Sequence, residues 1–270
     1  MANFTKNIVV GCGGSAFINA SHWIGASYGI EKILGRVDTP VRKLFDYAEA
    51  HFLAKLPLTY VLTVTLLKES GEADVLGLYV SGKENRRLAF EQGAELSRKR
   101  NITAVEQPIQ TCIVWLDEQE FHSTWLGNKA VYRTRMAMAQ GGRLIVLAPA
   151  VRSFGEDKEN DRLIRKYGYI SRERILSLVK TEADLQNNLS AAAHLIHGSS
   201  DGLFEVCYAA PLLGREAVEG VGYDYAEFDE MMKKYKPGTL RPGFNLMENG
   251  EGVYFIQNPS LGLWSYQGFL

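Results

Sequence analysis

The sequence predicts an α/β protein of two lobes, and three observations lead there. At 270 residues the chain is long enough for two ordinary hydrophobic cores. From Gln110 onward it alternates strand, helix and strand, the rhythm of a parallel sheet with helical crossovers. Ahead of that, two β-branched and aromatic runs, Leu58–Leu67 and Val75–Val80, flank a Ser-Gly turn and read as a β-hairpin. The boundary is placed in Thr103–Pro108, giving a partial N-terminal domain over 1–106 and a C-terminal α/β domain over 107–270 whose mostly parallel sheet and flanking helices are Rossmann-like.

The elements follow in order. Ile8–Gly11 reads as a strand and Gly13-Gly14-Ser15 as the turn after it. Thr39-Pro40 starts an amphipathic helix through Leu53, with apolar residues Val41, Leu44, Phe45, Ala48 and Phe52. Glu84–Arg100 reads as a charged helix with a stripe of Leu88, Phe90, Ala94 and Leu96. Thr111–Leu116 is a buried-looking strand, Asn128–Gln140 a helix ended by Gly141-Gly142, and Arg143–Ala148 the next strand. Helices are expected at Asp157–Tyr167, Ser171–Leu178, Ala183–Ile196, after Gly214 and at Tyr225–Tyr235, with strands at Leu203–Ala209 and Val253–Ile256.

Thirty basic residues against thirty-one acidic ones leave a formal net charge of −1, so no global field draws the chain to nucleic acid or an anionic membrane. The three cysteines, Cys12, Cys112 and Cys207, are far apart and form no CxxC pair, which fits a reducing compartment. The first residues lack the apolar run of a signal peptide, and no window approaches a membrane span, so a cytoplasmic location is expected.

Three motifs compete for function. IVVGCGG invites a dinucleotide reading with Gly13 and Gly14 at the phosphates, and hence an NAD-dependent sugar-acid oxidoreductase; the glycine spacing falls short of the full fingerprint. His194 and His197, three apart on one helix, are candidates for proton handling, or else a helix-end pair capped by Gly198; no third ligand accompanies them, so no metal site is assigned. Trp125–Arg135 is the sharpest feature. Lys129 and Arg133 share a helix face just after a strand, where α/β sheets place ligands, and cations near a helix N-terminus call for an anion in the same site. Asn128, Lys129, Arg133 and Arg135 are therefore the candidate substrate-binding residues; a solvated basic helix face would look similar.

Four stretches, WLGNKAVYRTRMAMAQGGRLIVLAPAV, FGEDKENDRLIRKYGY, NLSAAAHLIHGSSDG and NPSLGLW, resemble the nickel-dependent lactate racemase family, in particular its D-mannonate epimerase-like members and mainly their C-terminal part. The resemblance implies a two-domain α/β fold, a 2-hydroxy acid substrate such as a sugar acid, and a nickel pincer nucleotide as cofactor. It places Lys129 at the family's substrate-binding lysine, with Leu126 standing where the family has glutamine. Ser15-Ala16 and Glu31-Lys32 stand where the cofactor-tethering lysine and the nickel histidine are expected. The resemblance thus leaves two readings: a racemase or epimerase, or a non-catalytic subunit whose N-terminal region is covered by a partner chain or by a homo-oligomer.

Overall fold

The computed structural model describes residues 4–67 and 72–266, and these divide into two compact units after Thr103. The first unit opens with helix α1 (Phe4–Tyr28), kinked at Gly14, where φ is 66° and ψ −167°. The run Ile8–Gly11 is therefore helical and not a strand. Val9 packs with Phe45 and Ala48 of α2 (Pro40–Phe52), and Val10 and Phe17 lie against the same cluster. A strand would have needed a ladder partner, whereas a helix satisfies its own backbone while α2 covers one stripe. The dinucleotide reading needs a strand leading into its glycines, so Gly13 and Gly14 here form a helix kink instead.

Thr39 caps α2 as its sequence implies, its hydroxyl accepting from the Arg42 amide at 3.1 Å. The buried face differs from the apolar stripe. Arg42 and Glu49 are inside and Phe52 is exposed. Glu49 accepts from Tyr60 Oη and pairs with Arg86, while Arg42 pairs with Asp46 one turn along α2 at 3.1 Å and lies 4.1 Å over the Phe90 ring, so each buried charge is matched.

Strands β1 (Tyr60–Leu67) and β2 (Ala73–Ser81) form the expected antiparallel hairpin, in register from Tyr60 opposite Ser81 to Leu67 opposite Ala73, with a bulge between Val64 and Thr65. Its Ser-Gly turn lies outside the described residues. Helix α3 (Arg86–Asn101) covers one face through Ala89, Phe90 and Ala94. Phe90 and Ala94 are buried as the sequence reading has them, but Leu88 points to solvent and Ala89 and Gly93 take up the buried face instead. The division between the units falls in β3 (Ile102–Val105).

The second unit runs β4 (Ile109–Trp115), α4 (Thr124–Gly127), α5 (Lys129–Thr134), β5 (Met138–Leu147), α6 (Lys158–Tyr167), α7 (Arg172–Leu178), α8 (Ala183–Asn187), α9 (Leu189–Gly198), β6 (Glu205–Ala209), α10 (Arg215–Gly220), β7 (Asp224–Tyr225), α11 (Phe228–Tyr235), β8 (Gly243–Leu246), β9 (Gly252–Ile256) and β10 (Leu263–Tyr266). Six strands form one sheet in the order β7-β6-β5-β4-β9-β8, parallel except for β8. One face buries Ile113, Ile145, Leu147 and Phe255 against Phe228, Met231 and Met232 of α11.

Three expected elements change extent. The helix from Asn128 stops at Thr134, and Met138 to Gly142 belong to β5. Gly141 has φ 72°, and a Cβ on Gly142 would fall 2.9 Å from the carbonyl oxygens of Ile109 and Gln110, so the glycine pair serves a strand irregularity where two backbones approach closely. The helix expected over Ala183–Ile196 is broken at Asn188, whose side chain accepts from the Ala191 amide and caps α9. Tyr225 is in β7, and the last helix begins at Phe228. No described helix is long and apolar enough to cross a membrane.

Candidate functional site

Chain order places a ligand crevice in the second unit before any side chain is considered. Starting from β4, the sheet grows through β5, β6 and β7 on one side and through β9 and β8 on the other. The segments leaving the carboxyl ends of the adjacent parallel strands β4 and β9 therefore start side by side, at the sheet edge where open α/β folds bind their ligands. Residues 117–123 follow β4 and residues 257–262 follow β9.

Those two segments meet at Lys129, the first residue of α5. Its Nζ donates to Ser260 Oγ at 2.9 Å, lies 3.5 Å from Glu120 Oε1, and stands 5.5 Å from the Phe121 ring centroid. Glu120 also accepts from Asn258 Nδ2 at 3.0 Å and from Ser260 Oγ. Burial pushes the Glu120 carboxyl up, but the hydrogen bonds from Ser260 and Asn258 and the charge of Lys129 outweigh it and leave the group below its ordinary value. Lys129, Glu120, Asn258 and Ser260 thus make a half-buried, charge-balanced cluster. Its ammonium and hydroxyl can hold a carboxylate or hydroxyl ligand in exchange for their present contacts.

Arg133 lies one turn further along the same face, as the four-residue spacing requires, and its guanidinium donates to the carbonyls of Pro259, Ser260 and Gly262. It clasps the loop that carries Ser260. Arg135 is nearly buried and pairs with Asp201 at 3.8 Å. The structure therefore brings Lys129 and Arg133 to one loop and sends Arg135 elsewhere.

Asn128 and His194 belong to a second, buried arrangement. Asn128 Oδ1 accepts from Tyr208 Oη at 2.7 Å, and the single hydroxyl proton of Tyr223 has two acceptors in reach, Gly198 O at 2.7 Å and Asn128 Oδ1 at 3.1 Å. Thr124 donates to Phe154 O, so it accepts from Tyr169 Oη at 2.7 Å; Tyr169 in turn accepts from His194 Nε2 at 3.1 Å. That chain of donors selects the Nε2-protonated tautomer. His194 lies flat against Trp125, centroids 4.2 Å apart, and burial with His197 nearby pushes its pKa down to about 3. Burial likewise raises the phenols of Tyr169, Tyr208 and Tyr223. His197, partly buried, lies 5.7 Å from the Tyr132 ring. Gly198 is the last residue of α9; a Cβ there would collide with Asn128 and Tyr169, so it makes room for them and is not a left-handed cap.

Glu120, Asn258 and Ser260 carry no signal of a site in the sequence. Asn258-Pro259-Ser260 reads as a turn, and nothing in the linear spacing ties Glu120 to a residue 140 positions later. Among the described residues no three His, Cys, Asp or Glu side chains converge on a point that would hold a metal. His22 and His51 each use Nδ1 on the carbonyl one turn earlier in their own helices.

No family model matches the sequence, and no curated protein matches it. Several solved structures are similar, among them the following two. A protein from Thermotoga maritima superimposes with a TM-score of 0.74 at 21% identity, over 93% of this chain and 59% of that one. The lactate racemase apoprotein from Thermoanaerobacterium thermosaccharolyticum superimposes with a TM-score of 0.60 at 14% identity, over 92% of this chain and 55% of that one. The chain thus spans less than two thirds of the length of either, and it has the fold of lactate racemase.

Proposed function

We propose that the chain is racemase-like and binds a 2-hydroxy acid, with Lys129 holding the substrate carboxylate. The observation that carries this reading is the position of Lys129 at the carboxyl edge of the sheet, between the segments that follow β4 and β9, on a fold shared with part of a lactate racemase. Ser260 and Asn258 supply hydroxyl and amide groups for a substrate hydroxyl, and Arg133 holds their loop in place. A sugar acid such as mannonate is the proposed substrate, its extra hydroxyls suiting the polar cluster. No step is assigned to a nickel pincer nucleotide, because Ser15-Ala16 and Glu31-Lys32 stand where the resemblance expects the tethering lysine and the nickel histidine.

Titration calorimetry of the purified chain with mannonate and with lactate tests this. The Lys129→Ala variant is expected to lose about 1.5–3 kcal/mol of binding, the worth of a charged hydrogen bond. Equal affinity in both proteins would remove Lys129 from the role, and no binding of either acid to the parent chain would remove the reading.

The second reading is a non-catalytic subunit that completes a site with another chain. It is favoured by Ser15-Ala16 and Glu31-Lys32, which stand where the resemblance expects the tethering lysine and the nickel histidine. Nickel retained by the purified chain alone, measured by elemental analysis, would count against it. The oxidoreductase reading loses its support with the helical course of Ile8–Gly14.

A further inference from the structure

The hairpin of the first unit has two faces of different character. Its inner face, with Tyr60, Leu62 and Tyr79, is covered by α3. Its outer face is built from the cross-strand pairs Val61–Val80, Thr63–Leu78 and Thr65–Val75, continued by Leu67 opposite Ala73, and all of these side chains are exposed. Val61, Val75, Leu78 and Val80 are 60%, 65%, 62% and 60% exposed. An antiparallel sheet with one solvated face normally alternates apolar inward and polar outward. Here the outward positions are valine, leucine, threonine and alanine, with no charge on any of them. β1 and β2 pair only with each other among the described residues, so each strand also presents an open edge. Natural sheets usually guard a solvated face and edge with charges; the outward row here carries none, the one strand charge of β2, Asp74, standing in the inner row opposite Leu66.

We propose that this outer face is a homodimer interface, packed against the same face of a second copy of the chain. Charge is compatible with that occupant. In a two-fold interface every side chain near the axis meets its own copy, so a charge there meets a like charge. A face free of charge satisfies that condition along its whole length. Size agrees. Eight side chains at these exposures bury on the order of 1,000 Å² over the two copies, which reaches the lower bound for a specific interface. The pairs Thr63–Leu78 and Thr65–Val75 are central in the hairpin register, so the two-fold axis passes close to Leu78. This interface is independent of the reading of Lys129, which lies in the other unit.

Sedimentation velocity and light scattering on the full chain over a range of concentrations test the proposal. The parent chain is expected to be dimeric. Leu78→Lys and Leu78→Glu should each raise the dimer dissociation constant at least about 100-fold while leaving the far-UV circular dichroism unchanged. Thr63→Lys, at a position already polar and solvent-facing, repeats the test where folding is least at risk. Mixing the Leu78→Lys and Leu78→Glu proteins should restore the dimer, since unlike charges then meet near the axis. A parent chain that stays monomeric, a dimer indifferent to these substitutions, or a mixture that remains monomeric would each overturn the proposal; ligand binding measured on the same samples reports separately on Lys129.

Discussion

Replacing His194 by phenylalanine isolates the energetic consequence of burying a histidine without a charge partner. The ring is packed on Trp125, bonded through Nε2 to Tyr169, and has His197 as its titratable neighbour. Its folded pKa is pushed down to about 3, against about 6.5 in an unfolded chain. Below pH 6.5 the unfolded state therefore binds a proton that the folded state refuses, so stability falls with falling pH and rises with rising pH across the window from about 6.5 to 3. Relative to pH 7.5, the loss from this one group is about 1.4 kcal/mol at pH 5.5 and about 2.7 kcal/mol at pH 4.5. Phenylalanine keeps the aromatic stack and removes the titration. It gives up the hydrogen bond to Tyr169, worth about 1 kcal/mol, at every pH. Urea unfolding followed by tryptophan fluorescence suits the measurement, since Trp115, Trp125 and Trp264 all lie in the second unit. The parent minus variant difference should fall by about 1.4 kcal/mol between pH 7.5 and 5.5. A difference that stays constant over that interval would refute the neutral, buried assignment of His194.

Two further predictions concern how the second unit is held together. Gly142→Ala sets a methyl group against the backbone carbonyls of Ile109 and Gln110, which cannot step aside as a side-chain end could; a loss of about 1–3 kcal/mol is expected by denaturant titration, and an unchanged midpoint would contradict the close approach of these strands. Arg133→Ala leaves the carbonyls of Pro259, Ser260 and Gly262 without their donor. The expected results are about 1.5–3 kcal/mol of lost stability and faster proteolytic cleavage within residues 258–262, and neither change would appear if the guanidinium were merely a solvated charge.

Local chemistry makes much of the fold legible. Thr39-Pro40 announces the cap and first turn of α2, β-branched runs on either side of a Ser-Gly turn announce the hairpin, and the alternation after Gln110 announces the parallel sheet, because each depends on propensities and hydrogen bonds within a few residues. Ile8–Gly11 misleads for the complementary reason. Short apolar runs suit a buried helix and a strand equally, and the contact with Phe45 and Ala48 that decides between them comes from a distant part of the chain. The burial of Glu49 is hidden in the same way, since the groups that make it tolerable, Tyr60 and Arg86, belong to other elements.

At the crevice, the linear order of residues is enough to put Lys129 and Arg133 on one helix face after a strand, because helical periodicity is a local property. What that face meets is a matter of packing. The switch in strand order between β4 and β9 brings Glu120 and Ser260 to the same ammonium, and it turns Arg133 from a free cation into the clasp of the loop that carries Ser260. Strand order is a global choice, made by burial of both sheet faces at once, and no spacing within the chain encodes it.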